Sequence, residues 1–463
     1  MIMNTAQWEQ WFEKEADRLK YRPDRRAKRR YLHFDSRIST LDRERTLEML
    51  QPDNVARHSF YPFIRIDTKE KRFRHPKNRV KGSRHREHEI KRRPIDYASH
   101  GDALVYSWYA TLISDGYESE LATRGIGDSV IAYRAIKAID GVTAMSTAHF
   151  AQDAFTFMRD HAPCAVIALD VSKFYEEIDH DLLKQKWAQI LGTEKLPEDH
   201  MAVFESVTKY RFVRQGRMRD LVVHAKQRGQ SRIVLPHEFK SKIIDRHLQE
   251  VRSGTKGIPQ GAALSCTLAN VYMLDFDTEI AKAVREFGAL YRRYSDDILI
   301  VCPPEYSSQI EEKVMDEIKK LRLQIKEQKT VRRTCVVNDG VVQSLDPITG
   351  IAAQIQYLGI VSDGTNLSLR HGSIARFDRR MNQQTRRSVI GAFAKGRSGP
   401  PKRLLHQKFG VPRNNFLAYA KRTADVLGAP SISKQVSVLK RGRRLRKKIG
   451  AVSKVAQHLY KKQ

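Results

Sequence analysis

The stretch Ala289-Leu-Tyr-Arg-Arg-Tyr-Ser-Asp-Asp-Ile-Leu-Ile-Val-Cys302 limits this chain more than any other. Two β-prone runs flank a polar pair, which predicts a tight hairpin with Asp296 and Asp297 at its tip. A second apolar run, Ala165-Val-Ile-Ala-Leu169, reads as a buried strand, and Asp170 stands where it ends. A hairpin beside that strand brings Asp296 next to Asp170. Two carboxylates held together repel unless cations sit between them. Oxygen ligands with open positions suit Mg2+, which keeps waters and binds phosphates as well as protein. A pair of such ions activates an attacking 3′ hydroxyl and stabilises a leaving pyrophosphate in an in-line displacement. That chemistry asks for position and neutralised charge rather than covalent participation by the protein.

Taken singly, these segments are weak signals. An Asp-Asp pair in a turn is usually a solvated loop, and an Asp at a strand end commonly caps a helix. Gly257-Ile-Pro-Gln-Gly261 is by itself just a turn. Order and spacing add weight, with about ninety residues from the Asp170 segment to the Gly257 segment and about forty from there to Tyr294.

The ordered set resembles the reverse transcriptases over roughly residues 90 to 360. Asp170 to His180 is similar to their first catalytic motif, Gly257-Ile-Pro-Gln-Gly-Ala-Ala-Leu-Ser-Cys-Thr-Leu-Ala-Asn270 to the second, and Tyr294-Ser-Asp-Asp297 to the Tyr-X-Asp-Asp box. Leu321-Arg-Leu-Gln-Ile-Lys-Glu-Gln-Lys-Thr330 resembles the fourth motif and Gln356-Tyr-Leu-Gly-Ile360 the primer grip. Lys91-Arg-Arg-Pro-Ile95 and Ala132-Tyr-Arg134 are fainter likenesses of the fingers motifs. The resemblance implies an α+β right-hand polymerase: fingers, a palm whose antiparallel sheet carries the catalytic aspartates, and a helical thumb. It divides the chain into 1–93, a basic N-terminal extension and the start of the fingers; 94–370, fingers and palm; and 371–463, a basic helical thumb and C-terminal nucleic-acid-binding region.

Roles follow position by position as what the resemblance implies. Asp170, Asp296, Asp297 and Lys329 are the expected catalytic residues. Asp170, Asp296 and Val171 are the expected ligands of two Mg2+ ions, for which Mn2+ could substitute. Tyr175 falls at the steric gate that rejects a ribose 2′ hydroxyl; its competing reading is a core aromatic beside Phe174. Gln260 would touch the incoming nucleotide, and Gly261, Ala262 and Ala263 would let template and nucleotide approach the backbone. Lys329 matches the lysine that protonates leaving pyrophosphate, although a lysine in an amphipathic segment is otherwise a solvated charge. Lys91, Arg93 and Arg134 could grip the triphosphate. The implied activity is RNA-directed DNA polymerisation from deoxynucleotides, with an RNA template and a DNA product.

Charge agrees with an anionic polymer partner. The chain carries 84 Lys and Arg against 53 Asp and Glu, a net of +31. Residues 18 to 93 hold 25 basic and 10 acidic side chains, and residues 371 to 463 hold 24 and 2. The stretch between is close to neutral, so two cationic flanks border the expected catalytic centre, as a palm gripping a duplex requires. Lys440-Arg-Gly-Arg-Arg-Leu-Arg-Lys-Lys448 could lie along phosphates or form a solvated helix face.

Met1 to Lys20, with Trp8, Trp11 and Phe12 among acids, reads as an amphipathic helix rather than a signal peptide, and no run of eighteen apolar residues occurs. Cys164, Cys266, Cys302 and Cys335 have no zinc-like spacing, which points to a reducing cytoplasm. His58 to Arg93 is expected to form little core, and a helix over Tyr97 to Tyr117 is expected to break at Asp115-Gly116. Helices are expected within Glu311 to Leu323, Ile374 to Val389 and Asn415 to Leu427, with a linker at Gly396-Arg-Ser-Gly-Pro-Pro401.

About a hundred residues follow the last motif, room for a thumb but not for a further nuclease region. Ser265-Cys266 stands where intron and retron enzymes commonly have Ser-Pro, and the Asn-Ala-X-X-His element of retrons is missing. With the basic N-terminal region, these departures look most like the bacterial defence-associated and abortive-infection (DRT, Abi) reverse transcriptases. That grouping implies action against phage with a structured non-coding RNA, and it leaves room for a protein partner or homo-oligomer. A retron or group II intron-type enzyme, an RNA-dependent RNA polymerase and a non-catalytic RNA-binding scaffold are the alternatives. A large aromatic at Tyr175 speaks against the RNA polymerase, and the joint presence of Asp170 and Asp296 against the scaffold.

Overall fold

The computed structural model describes residues 5–20, 31–74, 87–138, 140–397, 399–410 and 415–460. In chain order its strands are β1 (Phe63–Arg74), β2 (Glu87–Tyr97), β3 (Cys164–Asp170), β4 (Arg211–Arg214), β5 (Gln249–Val251), β6 (Leu290–Tyr294), β7 (Asp297–Cys302), β8 (Val331–Asn338), β9 (Val341–Leu345), β10 (Ile355–Tyr357), β11 (Ile360–Ser362) and β12 (Leu367–Leu369).

The palm is a five-stranded sheet in the order β6-β7-β3-β8-β9, every pair antiparallel. Its central strands are apolar throughout because both faces are covered, and the two-residue period of a strand decides which core each side chain joins. Ile167, Leu169, Ile298 and Ile300 enter one core with the helices His100–Thr123, His180–Ile190, Ala263–Tyr272 and Leu274–Glu286. Val166, Leu299 and Val301 enter a second, shared with Thr147–Asp160, the β10–β11–β12 sheet and the C-terminal helices His371–Phe393 and Val438–Tyr460. The molecule is thus α+β, with the sheet as a partition between two cores.

A second sheet, β2-β1-β4-β5, forms the fingers. Residues between β4 and β5 fold back as a small module with its own core of Val213, Met218, Ala225, Ile233, Val234, Ile243 and Leu248, packed on Leu32, Phe34 and Ile64.

Two expectations from the sequence need correction. His58 to Arg93 forms little core, as expected, with Phe63 and Ile64 buried among the described residues, but it is not irregular: β1 and β2 pair from Ile64↔Tyr97 to Arg74↔Glu87. Alternation on a two-sided ribbon hides in a segment this charged, since apolar residues are needed only where the ribbon enters the body of the fold. The helix from His100 does not break at Gly116 but continues to Thr123. A Cβ at Gly116 would lie 2.8 Å from Ile190 Cγ2 and 2.9 Å from its carbonyl, so this glycine permits close helix packing rather than ending a helix. The N-terminal helix forms over Thr5–Leu19 and buries Trp8 and Trp11, as its pattern predicts. No helix among the described residues is long and apolar enough to cross a membrane.

Candidate active site

The β6–β7 hairpin is as tight as the sequence implies, with one shift. Tyr294 pairs with Asp297, so Ser295-Asp296 is the two-residue loop and Asp297 opens β7 instead of sharing the tip. Ser295 takes the left-handed backbone (φ 60°) that such loops use at their first position. Asp297 also lies opposite Asp170 across β7 and β3. Directly opposed residues in an antiparallel pair bring their Cα atoms to about 4.5–5.5 Å. The backbone N–H of Val171 donates to the Asp296 carbonyl at 3.0 Å, which ties the loop to the end of β3. Asp170, Asp296 and Asp297 therefore gather at one corner of the sheet.

Lys329 forms an ion pair with Asp170, and the Lys326 N–H donates to the Asp170 carbonyl at 2.8 Å. Burial pushes the Asp296 carboxyl up and Asp170 adds to that, against the pull of Lys329 and Arg93. Asp297 is exposed where β7 begins, yet protein surrounds much of its carboxyl. That loss of solvation, reinforced by Asp296 and then Asp170, pushes its carboxyl up to about 6. Arg370, just before the helix His371–Phe393, is among the cations that oppose this rise, and no sequence signal marked it.

The donor set is all oxygen, as a hard divalent cation requires. The Val171 carbonyl accepts no hydrogen bond among the described residues and adds a third oxygen donor beside Asp170 and Asp296. No three His, Cys, Asp or Glu side chains among the described residues already close into a metal cage.

An ion pair unnoticed in the sequence holds the hairpin. Arg293 and Asp277, both fully buried, form two hydrogen bonds of 2.7 and 2.6 Å, and Tyr291 Oη donates to Asp277 at 2.5 Å. Arg293 Nη1 also donates to the Ser295 carbonyl at 3.1 Å and to Asn270 Oδ1 at 3.2 Å. The signal was present: Tyr291 and Arg293 share the inward face of β6, and a charge there needs a partner.

Tyr175 sits on the short helix Phe174–Glu177, and its carbonyl accepts from Ile258 N–H at 2.9 Å. Its hydroxyl lies 3.3 Å from Tyr133 Oη and 3.8 Å from Cys266 Sγ. The Gln260 carbonyl accepts from Asp96 N–H at 2.8 Å. Gly261 has φ +127°, and a Cβ there would meet the Asp96 carbonyl at 2.7 Å, so only glycine fits. Arg93 reaches the carboxylates electrostatically, and Lys91 lies two residues earlier on the same face of β2. Arg134 is occupied elsewhere: it binds Glu118 through Nε at 2.7 Å and the Val130 carbonyl at 2.6 Å. The sequence passed over Tyr133, which has φ 61° and is 52 % exposed. A bulky residue in that left-handed region costs about 1–2 kcal/mol.

A family model described as reverse transcriptase (RNA-dependent DNA polymerase) matches residues 124–362, which is over half of the chain. The chain belongs to the reverse transcriptase family. The match runs from the end of the helix before Tyr133, through Asp170 and Asp296, to the end of β11, and so contains the whole carboxylate corner.

Among solved structures, the chain is similar to telomerase from Candida albicans in complex with a TWJ fragment of telomeric RNA, at 11% identity over 87% of this chain and 56% of that one, TM-score 0.41. Apo telomerase from Candida tropicalis matches at 10% identity over 78% and 60%, TM-score 0.40. The RNA-dependent RNA polymerase of a human picorbirnavirus matches at 12% over 65% and 43%, TM-score 0.32. The chain spans less than two thirds of the length of each. No curated protein matches it.

Proposed function

We propose that the protein is an RNA-directed DNA polymerase that adds deoxynucleotides to a 3′ hydroxyl. The register that sets Asp170 opposite Asp297, with Asp296 in the adjoining loop, carries this reading. Asp170, Asp296 and the Val171 carbonyl would hold Mg2+, with Mn2+ as a substitute. When bound, the ions supply activation of the attacking hydroxyl and charge neutralisation at the leaving pyrophosphate. Asp297 adds negative charge beside the ligands, and Lys329, on Asp170, stands where it can pass a proton to pyrophosphate. Arg93 and Lys91 approach from β2 toward the triphosphate, Gln260 borders the nucleotide, and Tyr175 lies under the sugar. Arg134 would have to leave Glu118 before it could grip phosphate. The fingers and palm would span 94–370 and the thumb 371–463, with residues 1–93 as a basic extension, although β2 itself runs through positions 93 and 94. The test is deoxynucleotide incorporation by purified protein in Mg2+ against Asp296→Ala. Equal product from both would end the proposal.

The finer reading is bacterial, cytoplasmic phage defence with a structured non-coding RNA. The cationic flanks and the departures at Ser265-Cys266 support it. Sequencing of co-purified RNA and phage plating with Asp296→Ala test it together; resistance unchanged by that substitution would remove polymerisation from the defence.

A further inference from the structure

We propose that Tyr133 and Cys266 are positioning residues that clamp the Tyr175 ring, and that this clamp sets how well a deoxynucleotide is distinguished from a ribonucleotide. The inference rests on the polymerase reading above and on Tyr175 as the residue beneath the sugar.

Steric exclusion is only as strong as the resistance of the excluding ring to moving aside. Left alone, an aromatic side chain changes rotamer at little cost. The Tyr175 helix is four residues long, begins after Lys173 in a left-handed conformation (φ 46°), and cannot by itself immobilise the ring. The restraint comes from outside it. Tyr133 approaches from the segment after the helix His100–Thr123, and Cys266 from the helix Ala263–Tyr272 behind the Gly261 turn. Their Oη and Sγ flank one hydroxyl at 3.3 and 3.8 Å. A proline at 266, as commonly found in intron and retron enzymes, would offer no such acceptor.

Tyr133 is the more telling of the two. Strained conformations persist where the surroundings over-determine them, and every neighbour of this residue is fastened. Arg293 N–H donates to the Ser129 carbonyl at 2.7 Å and Ile131 N–H to the Arg293 carbonyl at 3.0 Å. Asn270 Nδ2 donates to the Ala132 carbonyl at 2.9 Å, and Arg134 binds Glu118 at 2.7 Å. Burial does not explain a tyrosine held this way, because half of it is exposed. Contact with Tyr175, and a tilted approach to the Tyr294 ring at 6.3 Å between centroids, does. The same clamps reach the hairpin that carries Asp296, so gate and carboxylates are fixed to one frame.

The test compares kcat/KM for a deoxynucleotide and the matching ribonucleotide in primer extension by wild type, Tyr133→Phe, Cys266→Ala and Tyr175→Ala. Tyr175→Ala is expected to relax discrimination most. Tyr133→Phe, which removes one oxygen, is expected to raise the ribonucleotide-to-deoxynucleotide ratio about fivefold, the equivalent of one neutral hydrogen bond. Tyr133→Gly suits the left-handed backbone and relaxes the ratio at least as far without lowering Tm; it decides the matter if the Phe variant misfolds. Relaxed discrimination in Tyr175→Ala with wild-type ratios in the Tyr133 and Cys266 variants overturns the clamp alone. A wild-type ratio in Tyr175→Ala overturns the gate and the clamp with it, and no product from wild type overturns the polymerase reading and both.

Discussion

Replacing Asp277 with Leu leaves the Arg293 guanidinium charged, fully buried and without its two bonds of 2.6 and 2.7 Å. Stranding one member of a buried pair costs about 3–5 kcal/mol. Adding Arg293→Met removes the stranded charge and fills similar volume. What remains is a buried Tyr291 hydroxyl without its acceptor, and an Asn270 Oδ1 and a Ser295 carbonyl without the Arg293 donor, each a penalty of about 1–3 kcal/mol. Stability in a denaturant titration should therefore fall steeply in Asp277→Leu and recover in part in the double variant. Activity should not recover. Both variants disturb the Arg293 bond to the Ser295 carbonyl, and the double variant deletes it, so the loop carrying Asp296 loses its anchor. A misplacement of about 1 Å at a reacting centre costs about a hundredfold in rate. Wild-type stability in the single variant would refute the energetic argument, and wild-type primer extension in the double variant would refute the positional one.

Asp296→Asn should abolish incorporation yet raise the metal-free Tm, because it removes one of the like charges crowded at the corner; a melt without Mg2+ checks this. Asp297 titrates near 6 when folded and near 4 when unfolded, so the folded state holds the extra proton between those values and the metal-free protein loses stability as pH rises through them. The Mg2+-induced rise in Tm should accordingly be larger at pH 7.5 than at pH 5. Gly116→Ala should destabilise by about 1–3 kcal/mol through contact with Ile190, read as a lowered denaturation midpoint. Gly261→Ala should lower both Tm and incorporation, since the added Cβ strains the backbone and pushes the Gln260 turn away from Asp96.

The carboxylate corner was legible because strand physics encodes it locally: apolar runs ending in Asp170 and flanking Ser295-Asp296 leave little choice of pairing. Residues acting through tertiary contact were harder to read. Arg293 looks like any strand arginine until Asp277 arrives from a helix sixteen residues back, and Tyr133 looks like a fingers residue beside the more conspicuous Arg134. Gly116 was misread because a helix breaker and a helix-packing glycine carry the same letter, and only Ile190, 74 positions on, tells them apart. The β1–β2 ribbon was missed because its charges hide its alternation.

The module between β4 and β5 leaves and re-enters the fingers at adjacent points, since Val213 is paired with Gln249. Its two ends meet, so in chain terms it is a cassette, removable without cutting the sheet. Such a cassette can lengthen, shrink or change its surface while the carboxylate corner keeps its register. One debt constrains any exchange: Leu32, Phe34 and Ile64 lie beneath it, and a replacement must cover the same apolar floor.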